Sequence, residues 1–518
     1  MSIARRLTAA AIVVRANLNP LERPDRLPKS LLAMAPWGAT LGGLVAGAAA
    51  RYPDRCAVED DSGAVTYAHL WSAAQRTAAS LAAGGIGPKS TVGLLCRNHA
   101  GFVEWLVAAS ITGADIVLLN TGFAAPQLAD VVASEGIGTV IHDDEFADVV
   151  ASCGAQTFGE ADMRARSHTA GRVGPRRTQG RLIILTSGTT GRPKGAARRT
   201  DSGAIEGVAA ILDRLPLRLG DTQVIAAPVF HAWGLTHLML GLSRCATNIL
   251  ARRFDAAATL HATSRRHADV LVVVPAMLAR IVALPAGEAV SAPTPDLRVI
   301  ASSGSALGSK LATDVLHRFG PVLYNLYGST EVAVATIATP VDLQHAPATA
   351  GRVAFGVRVE ILDRDGNPVP AGSVGRIFVG GAMRFDGYTT GGTKEQHDGL
   401  LSSGDLGYFR DDLLFVEGRE DDMIVSGGEN VFPIEVEELL SHHPGIADAA
   451  VVGIPDAEFG QALAAFVVAR DRQLTADDIR AHVRTQLARH KVPRRVVFID
   501  ELPRNTTGKV LRTALETS

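Results

Sequence analysis

The residues best suited to chemistry lie in one glycine-rich stretch, TSGTTGRPK at residues 186–194. Its glycines let backbone N–H groups turn toward an anion, its hydroxyls add hydrogen-bond donors, and Lys194 adds positive charge. An apolar run at 181–185 precedes it and predicts a buried strand. The stretch therefore predicts a loop that holds a polyphosphate. It is not a Walker A loop, because Pro193 stands where the second glycine of that motif falls.

The same string resembles the phosphate loop of the adenylate-forming superfamily, which includes acyl-CoA synthetases, luciferases and peptide-synthetase adenylation domains. Further segments resemble other motifs of this family, in the family's order along the chain. They are PVFHAWG at 228–234, SGSAL at 303–307, NLYGSTE at 325–331, SGD at 403–405, GREDDMIVSGGEN at 418–430 and PRNTTGK at 503–509. From about residue 40 to the end, the chain is identified as a member of this family.

The resemblance implies that the chain binds ATP, Mg²⁺, CoA and a carboxylic acid. Residues 186–194 would cradle the β- and γ-phosphates, Tyr327 would stack on adenine, and Asp405 would accept both ribose hydroxyls. The resemblance assigns nucleotide or CoA contacts to Thr186, Ser187, Gly188, Thr189, Thr190, Gly191, Lys194, Gly304, Ser305, Asn325, Tyr327, Gly328, Ser329, Asp405, Arg419, Ser426, Gly427 and Gly428.

Four residues are implied to be catalytic. Glu331 would hold Mg²⁺, which prefers one or two carboxylates together with phosphate oxygens, and Thr330 would contact the α-phosphate. Lys509 would bridge the acyl carboxylate and the α-phosphate, and His231 would border the carboxylate. After adenylation, the small domain would rotate about a hinge at Asp421, withdrawing Lys509 and bringing in residues 426–430.

The acid and its acceptor are less well specified. His231 stands where adenylation domains for α-amino acids carry aspartate, which argues against an amino-acid substrate. Six side chains suit a fatty or aryl acid if they line a pocket, but they could equally be core: Trp233, Leu235, Leu238, Met239, Leu240 and Val332. We expect a medium- or long-chain fatty acid and CoA. The alternatives are an aryl acid, or a separate carrier protein as acceptor; a non-catalytic ATP-binding protein is disfavoured because Lys509 and Glu331 are both present.

Composition agrees with an ordinary globular enzyme. The 518 residues are 47% hydrophobic and 20% charged, and the formal net charge is −2. There is no basic surplus of the kind that a nucleic-acid partner requires. The four cysteines are scattered without metal-ligand spacing, which predicts free thiols in a reducing compartment.

The N-terminus is the most ambiguous segment. Residues 7–14 form an apolar run after two arginines, as in a signal peptide, but Arg15 interrupts it. Residues 31–50 carry no charge, yet they contain Pro36, several glycines and the start of the family resemblance. We therefore expect a cytoplasmic protein. Peripheral membrane contact through residues 1–20 and a homodimer are left open as further associations.

Alternating apolar runs and helical stretches indicate a largely parallel α/β architecture. The runs at 91–96, 115–119, 223–227, 269–274 and 297–300 predict buried strands. Turn signals between 350 and 418 predict a β-rich subdomain, and residues 434–480 mix helix and strand patterns. The prediction is an α/β fold with a large N-terminal domain of parallel-sheet subdomains and a β-rich subdomain, plus a small α+β C-terminal lid. The boundaries are 1–39 for an N-terminal extension, 40–420 for the adenylation domain (350–418 β-rich) and 421–518 for the lid.

Overall fold

The structure is a computed structural model of the chain. It describes residues 3–18, 22, 24–168, 171–175, 180–187, 193–198, 204–285, 294–381, 387–389, 391–426, 429–456, 460–471, 473–505 and 508–516. The chain divides into two compact units. Unit 1 comprises residues 1–302, 329–333 and 381–394, and unit 2 comprises residues 303–328, 334–380 and 395–518. The predicted division at 420–421 falls inside unit 2 and stays a prediction.

Unit 1 contains helices and strands in alternation. Its helices are α1 (Ile3–Asn17), α2 (Arg26–Met34), α3 (Leu41–Arg51), α4 (Tyr67–Ala83), α5 (Ala100–Thr112), α6 (Ala125–Ser134), α7 (Ala147–Val150), α8 (Glu160–Ser167), α9 (Ala204–Leu212), α10 (Ala232–Ser243), α11 (Ala256–Arg265) and α12 (Pro275–Val282), with a 3₁₀ turn at Asp144–Phe146. Its strands are β1 (Cys56–Asp60), β2 (Gly63–Thr66), β3 (Thr91–Leu95), β4 (Asp115–Leu118), β5 (Thr139–His142), β6 (Gln156–Phe158), β7 (Leu182–Ser187), β8 (Pro193–Arg198), β9 (Thr222–Ile225), β10 (Thr247–Leu250), β11 (Val270–Val273) and β12 (Val299–Ser302).

These strands form sheets that are mostly parallel. One has the order β6-β5-β3-β4-β7-β8, parallel except for the β7–β8 hairpin. The other runs β12-β11-β9-β10-β1-β2 within unit 1, parallel except for β1–β2. Every residue of β5, β11 and β12 is buried, as expected for strands covered on both faces. All five predicted buried strands are confirmed.

Unit 2 is richer in antiparallel structure. Its helices are α13 (Ser309–Phe319), α14 (Pro340–His345), α15 (Pro433–Ser441), α16 (Ala476–Gln486) and α17 (Arg512–Glu516), with a 3₁₀ turn at Arg489–Lys491. Its strands are β13 (Leu323–Ser329, whose last residue belongs to unit 1), β14 (Ala333–Ala338), β15 (Arg352–Val353), β16 (Arg358–Leu362), β17 (Gly375–Gly380), β18 (Gln396–His397), β19 (Leu400–Arg410), β20 (Leu413–Arg419), β21 (Ile424–Ser426), β22 (Glu429–Val431), β23 (Ile446–Asp456), β24 (Gly460–Ala469) and β25 (Arg495–Phe498).

The β-rich segment and the C-terminal segment each have a sheet. β16 to β20 form an antiparallel sheet, which confirms the predicted β-rich character of 350–418. β22-β21-β24-β23 with β25 form the sheet of the small C-terminal α+β domain. Its core includes Val436, Leu440 and Val451, and Thr475 and Asp478 cap α16 reciprocally, as that sequence predicts. The mixed α/β fold class is thus confirmed.

Two observations bear on the N-terminus and the cysteines. Among the described helices, none is both long enough and apolar enough to cross a membrane. The chain up to residue 39, predicted only as an extension, contains α1 and α2, and Thr40 caps α3 by accepting a hydrogen bond from Gly43 N. The cysteines are free thiols, as predicted; Cys96, Cys153 and Cys245 are buried, and Cys56 is partly exposed.

Candidate active site

The predicted phosphate loop connects two strands of a hairpin. β7 and β8 pair antiparallel, with Thr186 opposite Lys194 and Ser187 opposite Pro193. Gly188, Thr189, Thr190 and Gly191 join the two strands and lie outside the described residues. Because β7 also pairs in parallel with β4, the loop leaves the carboxyl end of a parallel strand, where α/β sheets bind ligands.

A partly buried carboxylate fixes the start of β8. Glu135 Oε1 accepts hydrogen bonds from Gly195 N at 3.1 Å and from Thr389 Oγ1 at 2.7 Å. Thr389 N donates to Gly195 O at 2.9 Å. A Cβ atom at Gly195 would lie 2.5 Å from Thr389 Oγ1 and 2.8 Å from the Glu135 carboxylate, so glycine is required for this approach. Glu135 thereby holds the backbone of the residue that follows Lys194.

Glu331 lies in the turn between β13 and β14, together with Thr330. Only 8% of Glu331 is exposed. Its Oε1 accepts from the Tyr388 hydroxyl at 3.0 Å, and its Oε2 accepts from Ser329 Oγ at 2.9 Å. The next residue but one, Ala333, has a φ of 63°, a left-handed conformation that costs an ordinary residue about 1 kcal/mol. Such strain is concentrated at functional sites.

Tyr388 connects this carboxylate with the lysine of the phosphate loop. The Lys194 ammonium lies 5.4 Å from the centroid of the Tyr388 ring, within the range of a cation–π contact. One aromatic side chain therefore contacts Lys194 with its ring and Glu331 with its hydroxyl. Sequence reasoning identified Lys194 and Glu331 but missed Tyr388, Thr389 and Glu135.

Unit 2 brings together the predicted nucleoside-binding residues. The Tyr327 hydroxyl donates to Asp405 Oδ2 at 2.6 Å, and burial together with the Asp405 charge raises the pKa of Tyr327 well above its usual value. Asp405 on β19 lies directly opposite Arg419 on β20. Ser403 Oγ accepts from Asp405 N at 3.0 Å and so fixes the backbone of the aspartate. Tyr327 and Asp405 are therefore in direct contact, and their roles in nucleoside binding stay predictions.

The loop 303–308 reaches the same strand, β13. Ser303 Oγ donates to Leu326 O at 2.9 Å. Gly304 has a φ of 101°, which a side chain would disfavour, and its neighbour Ser305 is partly exposed. Asn325 on β13 is 7% exposed, and its Oδ1 is a buried acceptor without a hydrogen-bond partner among the described residues. An unsatisfied buried amide oxygen is costly unless a ligand or water completes it.

The Arg419 guanidinium also makes a two-pronged ion pair with the predicted hinge residue. Arg419 Nε and Nη2 donate to the Asp421 carboxylate at 2.7 and 3.1 Å. This bond, opposed by burial, raises the pKa of Arg419 above its usual value. Farther along, Ser426 pairs with Glu429 in the β21–β22 hairpin. Gly427 and Gly428, predicted to contact CoA, lie outside the described residues.

Lys509 is displayed on a tight turn. Asn505 N donates to Lys509 O and Asn505 Oδ1 accepts from Lys509 N, both at 2.9 Å. Gly508 has a φ of 78°, which closes the turn. Arg504 donates to Gly508 O at 2.6 Å and to Asp448 on β23 at 2.7 Å, so the turn is anchored to the sheet. The Lys509 side chain is exposed.

His231 lies at the start of α10. Its ring packs at 4.4 Å against Phe230, and burial lowers its pKa to about 4, so it is neutral at physiological pH. Its Nε2 is buried and has no hydrogen-bond partner among the described residues. Of the six side chains that could line a pocket or be core, Leu235, Leu238 and Leu240 are at most 4% exposed and belong to the core. Trp233 is anchored by donating from Nε1 to Val273 O at 3.1 Å.

Comparison with known proteins decides the family. The sequence profile described as "AMP-binding enzyme" matches residues 45–389, and that of the "AMP-binding enzyme C-terminal domain" matches residues 435–509. The chain belongs to the AMP-binding enzyme family. It is an adenylate-forming acid–CoA ligase, a class that includes its relatives indoleacetate–CoA ligase and feruloyl-CoA synthase.

The relatives of this AMP-binding enzyme act on different acids. An indoleacetate–CoA ligase of Aromatoleum aromaticum is 33% identical over 88% of this chain and 94% of its own length. A fatty acid–[acyl-carrier-protein] ligase of Streptomyces coeruleorubidus is 31% identical over 89% and 93%. The o-succinylbenzoate CoA synthetase of Bacillus subtilis, solved with its acyl-adenylate intermediate, has a TM-score of 0.82 at 27% identity and covers 92% of this chain and 98% of its own.

Proposed function

We propose that the enzyme activates an aryl or fatty carboxylic acid without an α-amine, in two steps. In the first, a carboxylate oxygen attacks the α-phosphorus of ATP, forming the acyl–O–P bond while pyrophosphate leaves. In the second, the CoA sulfur attacks the acyl carbonyl carbon, giving a thioester and AMP. The observation that carries the choice of acid is the partly buried His231 at the start of α10, which provides no negative charge to pair with a substrate amine.

Unit 1 residues serve the phosphates in this proposal. The first step brings two anions together, so donors and positive charge must offset their repulsion. Lys194 supplies the charge on the strand that follows the phosphate loop, and Glu135 holds the adjacent backbone in place. Thr330 lies next to Glu331 in the strained turn and would contact the α-phosphate.

The residues around Glu331 fit a magnesium ion. Each carboxylate oxygen accepts one hydrogen bond, from Tyr388 or from Ser329, and so keeps acceptor capacity for a hard cation. Mg²⁺ prefers oxygen ligands and is usually held by one or two carboxylates together with substrate phosphates. Bound there, the ion would neutralise negative charge on the phosphate oxygens. Tyr388 and Ser329 orient the carboxylate that would hold it.

In this proposal, residues of unit 2 bind the nucleoside and switch the enzyme from adenylation to thioester formation. Asp405, whose Oδ2 accepts a hydrogen bond from the Tyr327 hydroxyl, would also accept hydrogen bonds from the ribose hydroxyls. The adenine would be contacted by Gly304, Ser305, Asn325 and Gly328. The Asn325 Oδ1, which has no hydrogen-bond partner among the described residues, suits an amino donor.

Lys509 acts in adenylation. A backbone rotation at Asp421 then exchanges it for residues 426–430, where Gly427 and Gly428 leave room for the pantetheine arm.

Aryl acids take first place among the substrates that we propose. The indoleacetate–CoA ligase and the o-succinylbenzoate CoA synthetase both act on acids with an aromatic ring. Fatty acids, expected from the sequence, stay the second candidate because a fatty acid–[acyl-carrier-protein] ligase is also a relative. That relative also keeps a carrier protein as the alternative acceptor to CoA.

Mass spectrometry of the reaction products tests these proposals together. Purified enzyme, ATP and Mg²⁺ are incubated with indoleacetic, ferulic, octanoic or palmitic acid, each with and without CoA. Aryl-CoA as the dominant product supports the first candidate, and octanoyl- or palmitoyl-CoA supports the second. Acyl-AMP that accumulates despite CoA contradicts CoA as acceptor, and absence of any acyl-AMP or thioester with the whole panel contradicts both candidate acid classes.

A further inference from the structure

The first helix, α1, exposes an apolar stripe. Successive residues of an α-helix are offset by about 100° around its axis, so Leu7 and Val14 lie within about 20° of one another. Leu18, the first residue after the helix, is also exposed. The exposed fractions of these three residues are 66%, 52% and 55%. Ala4, Ala10 and Ala11 are also exposed and widen the stripe on both sides. The stripe, made of these six residues, extends along the whole described helix and the residue after it.

Basic side chains flank the stripe. By the same helical geometry, Arg6 lies about 100° to one side of Leu7 and Arg15 about 80° to the other, and both are exposed. The α1 sequence contains three arginines and no acidic residue. An apolar face bordered by arginines whose stems can extend toward a polar layer is the pattern of a helix that lies in a membrane interface.

The opposite face of α1 is packed against the protein. α1 contacts α9, and Ala9 is completely buried. Arg5 lies 3.7 Å from Glu206 of α9, a carboxylate that is only 3% exposed. At the end of α1, the Asn17 carbonyl accepts a hydrogen bond from Arg51 at 2.8 Å. Arg51 also donates to the Glu22 carboxylate at 2.5 and 2.7 Å. These contacts fix the rotation of α1, and with it the outward direction of the stripe.

The concentration of exposed apolar side chains is local. Of the ten large apolar residues that are exposed in the described chain, five lie before residue 35: Leu7, Val14, Leu18, Leu31 and Leu32. Single exposed residues elsewhere, such as Val341 at 72%, need no explanation, whereas a contiguous stripe marks an interaction surface. Both α1 and α2 precede residue 45, where the family match begins, so the adenylation chemistry does not account for the stripe.

We propose that α1 docks the enzyme on an anionic lipid surface. Leu7, Val14 and Leu18 would enter the boundary between headgroups and acyl chains, while Arg6 and Arg15 contact anionic headgroups. Charge favours this occupant over a second copy of the chain, because a two-fold pairing of the same stripe would bring like-charged arginines together. At 15 residues, α1 is shorter than the roughly 20 residues of a membrane span, so the helix lies along the surface.

Vesicle flotation of the full chain tests this proposal without using catalysis. Binding to vesicles of phosphatidylcholine with about one third phosphatidylglycerol should exceed binding to phosphatidylcholine alone by at least tenfold, since each arginine near an anionic surface strengthens attachment. The double variant Leu7→Glu/Val14→Glu should lose at least about tenfold in binding, because it removes apolar contact and adds like charge. Arg6→Glu/Arg15→Glu should abolish the preference for anionic vesicles.

The matched control is Val341→Glu, at an exposed apolar residue of α14 outside the stripe. It should bind vesicles as the parent does, and all variants should keep the parent's melting temperature. Equal binding by the parent and by Leu7→Glu/Val14→Glu overturns the proposal. A second result would also overturn it: the parent does not bind vesicles but forms a concentration-dependent dimer in sedimentation, and Leu7→Glu/Val14→Glu disrupts that dimer. The stripe would then bind a second copy of the chain.

Discussion

The Tyr388 hydroxyl lies 3.0 Å from Glu331 Oε1, while the ring of the same tyrosine lies 5.4 Å from the Lys194 ammonium. Glu331 and Lys194 were expected to serve the same triphosphate, one through a metal ion and one directly. The shared contact with Tyr388 gives a physical reason for them to act together. It orients the carboxylate by a hydrogen bond and steadies the ammonium by the ring face, without neutralising either charge.

Tyr388→Phe separates these two contacts, because it removes the hydroxyl and keeps the ring. We expect adenylation to slow by about tenfold, the loss of one orienting hydrogen bond to a charged group, with a higher Mg²⁺ concentration required for half-maximal rate. Pyrophosphate release at several Mg²⁺ concentrations measures both effects. Tyr408→Phe, on a tyrosine that stacks on Phe415 at 5.3 Å, is the control. An unchanged Mg²⁺ requirement in Tyr388→Phe would show that the hydroxyl does not orient the metal ligand.

Glu135 offers a test of how the phosphate loop is held. Glu135→Ala removes the carboxylate acceptor of Gly195 N and leaves Thr389 Oγ1 only its hydrogen bond to Gly195 O at 3.2 Å. This should cost about 1–3 kcal/mol in unfolding free energy and slow adenylation. Glu135→Gln should restore most of both, because one amide oxygen can accept both hydrogen bonds that Oε1 accepts now. Urea unfolding and pyrophosphate release measure the two effects. If Glu135→Gln lowers the unfolding free energy and the adenylation rate as much as Glu135→Ala does, the negative charge, and not the hydrogen bonds, holds the loop.

How far the sequence predicts this site depends on the range of the contacts. Motif residues such as Lys194, Tyr327, Glu331, Asp405 and Lys509 could be named because their neighbours in the chain form recognisable strings. Glu135 and Thr389 could not, because they are 254 residues apart and no local periodicity connects them. Tyr388 lies in a Gly-Tyr pair that reads as an ordinary turn. Its role depends on two partners that the linear sequence does not reveal.

The fold, like the site, has features that the local sequence predicts and features that depend on distant contacts. Buried strands such as β11 and β12 were predictable because a strand covered on both faces must be continuously apolar. The rotation of α1 was not predictable, since Ala4 to Leu18 are apolar on more than one side. Packing on α9 and the pair Arg5–Glu206 decide which side faces outward. Likewise, helical spacing could not separate pocket from core for Leu238, which is fully buried.

A second buried histidine, His237, makes stability depend on pH. Burial, with a smaller contribution from Arg244, lowers the pKa of His237 to about 3 from the usual 6.5. Between these values the unfolded chain binds a proton that the folded chain does not, so the free energy of unfolding falls as pH is lowered. Between pH 7.5 and 5, the parent should lose about 2 kcal/mol more than His237→Leu. Urea denaturation at both pH values measures this. Equal losses in parent and variant would contradict the assignment, and the variant at pH 8 serves as the reference for packing effects.

Lys509 should matter for one half-reaction only. Its turn displays the side chain to solvent, and the chemistry that it would stabilise occurs during adenylation. We expect Lys509→Ala to slow adenylation by about two to three orders of magnitude, as for loss of one preorganised electrostatic donor, and to spare thioester formation from supplied acyl-AMP. Pyrophosphate release and acyl-CoA formation are measured separately, with Lys89→Ala, an exposed lysine elsewhere, as control. Equal loss in both half-reactions would falsify this role.

Restricting the predicted hinge at Asp421 should slow thioester formation more than adenylation, the opposite of what we expect for Lys509→Ala. Asp421→Pro fixes φ near −65° and so restricts backbone rotation there. It also removes the carboxylate that pairs with Arg419. Asp421→Ala removes the same carboxylate without restricting the backbone, and is therefore the matched control.

We expect Asp421→Pro to slow thioester formation from acyl-AMP by at least about tenfold more than adenylation, because only the second step requires residues 426–430 in place of Lys509. Asp421→Ala should affect the two steps equally and mildly, since an exposed ion pair contributes little. The same two assays that separate the half-reactions of Lys509→Ala measure both variants. A proline variant that is slower in adenylation than in thioester formation, or indistinguishable from the alanine variant, would place the rotation at another residue.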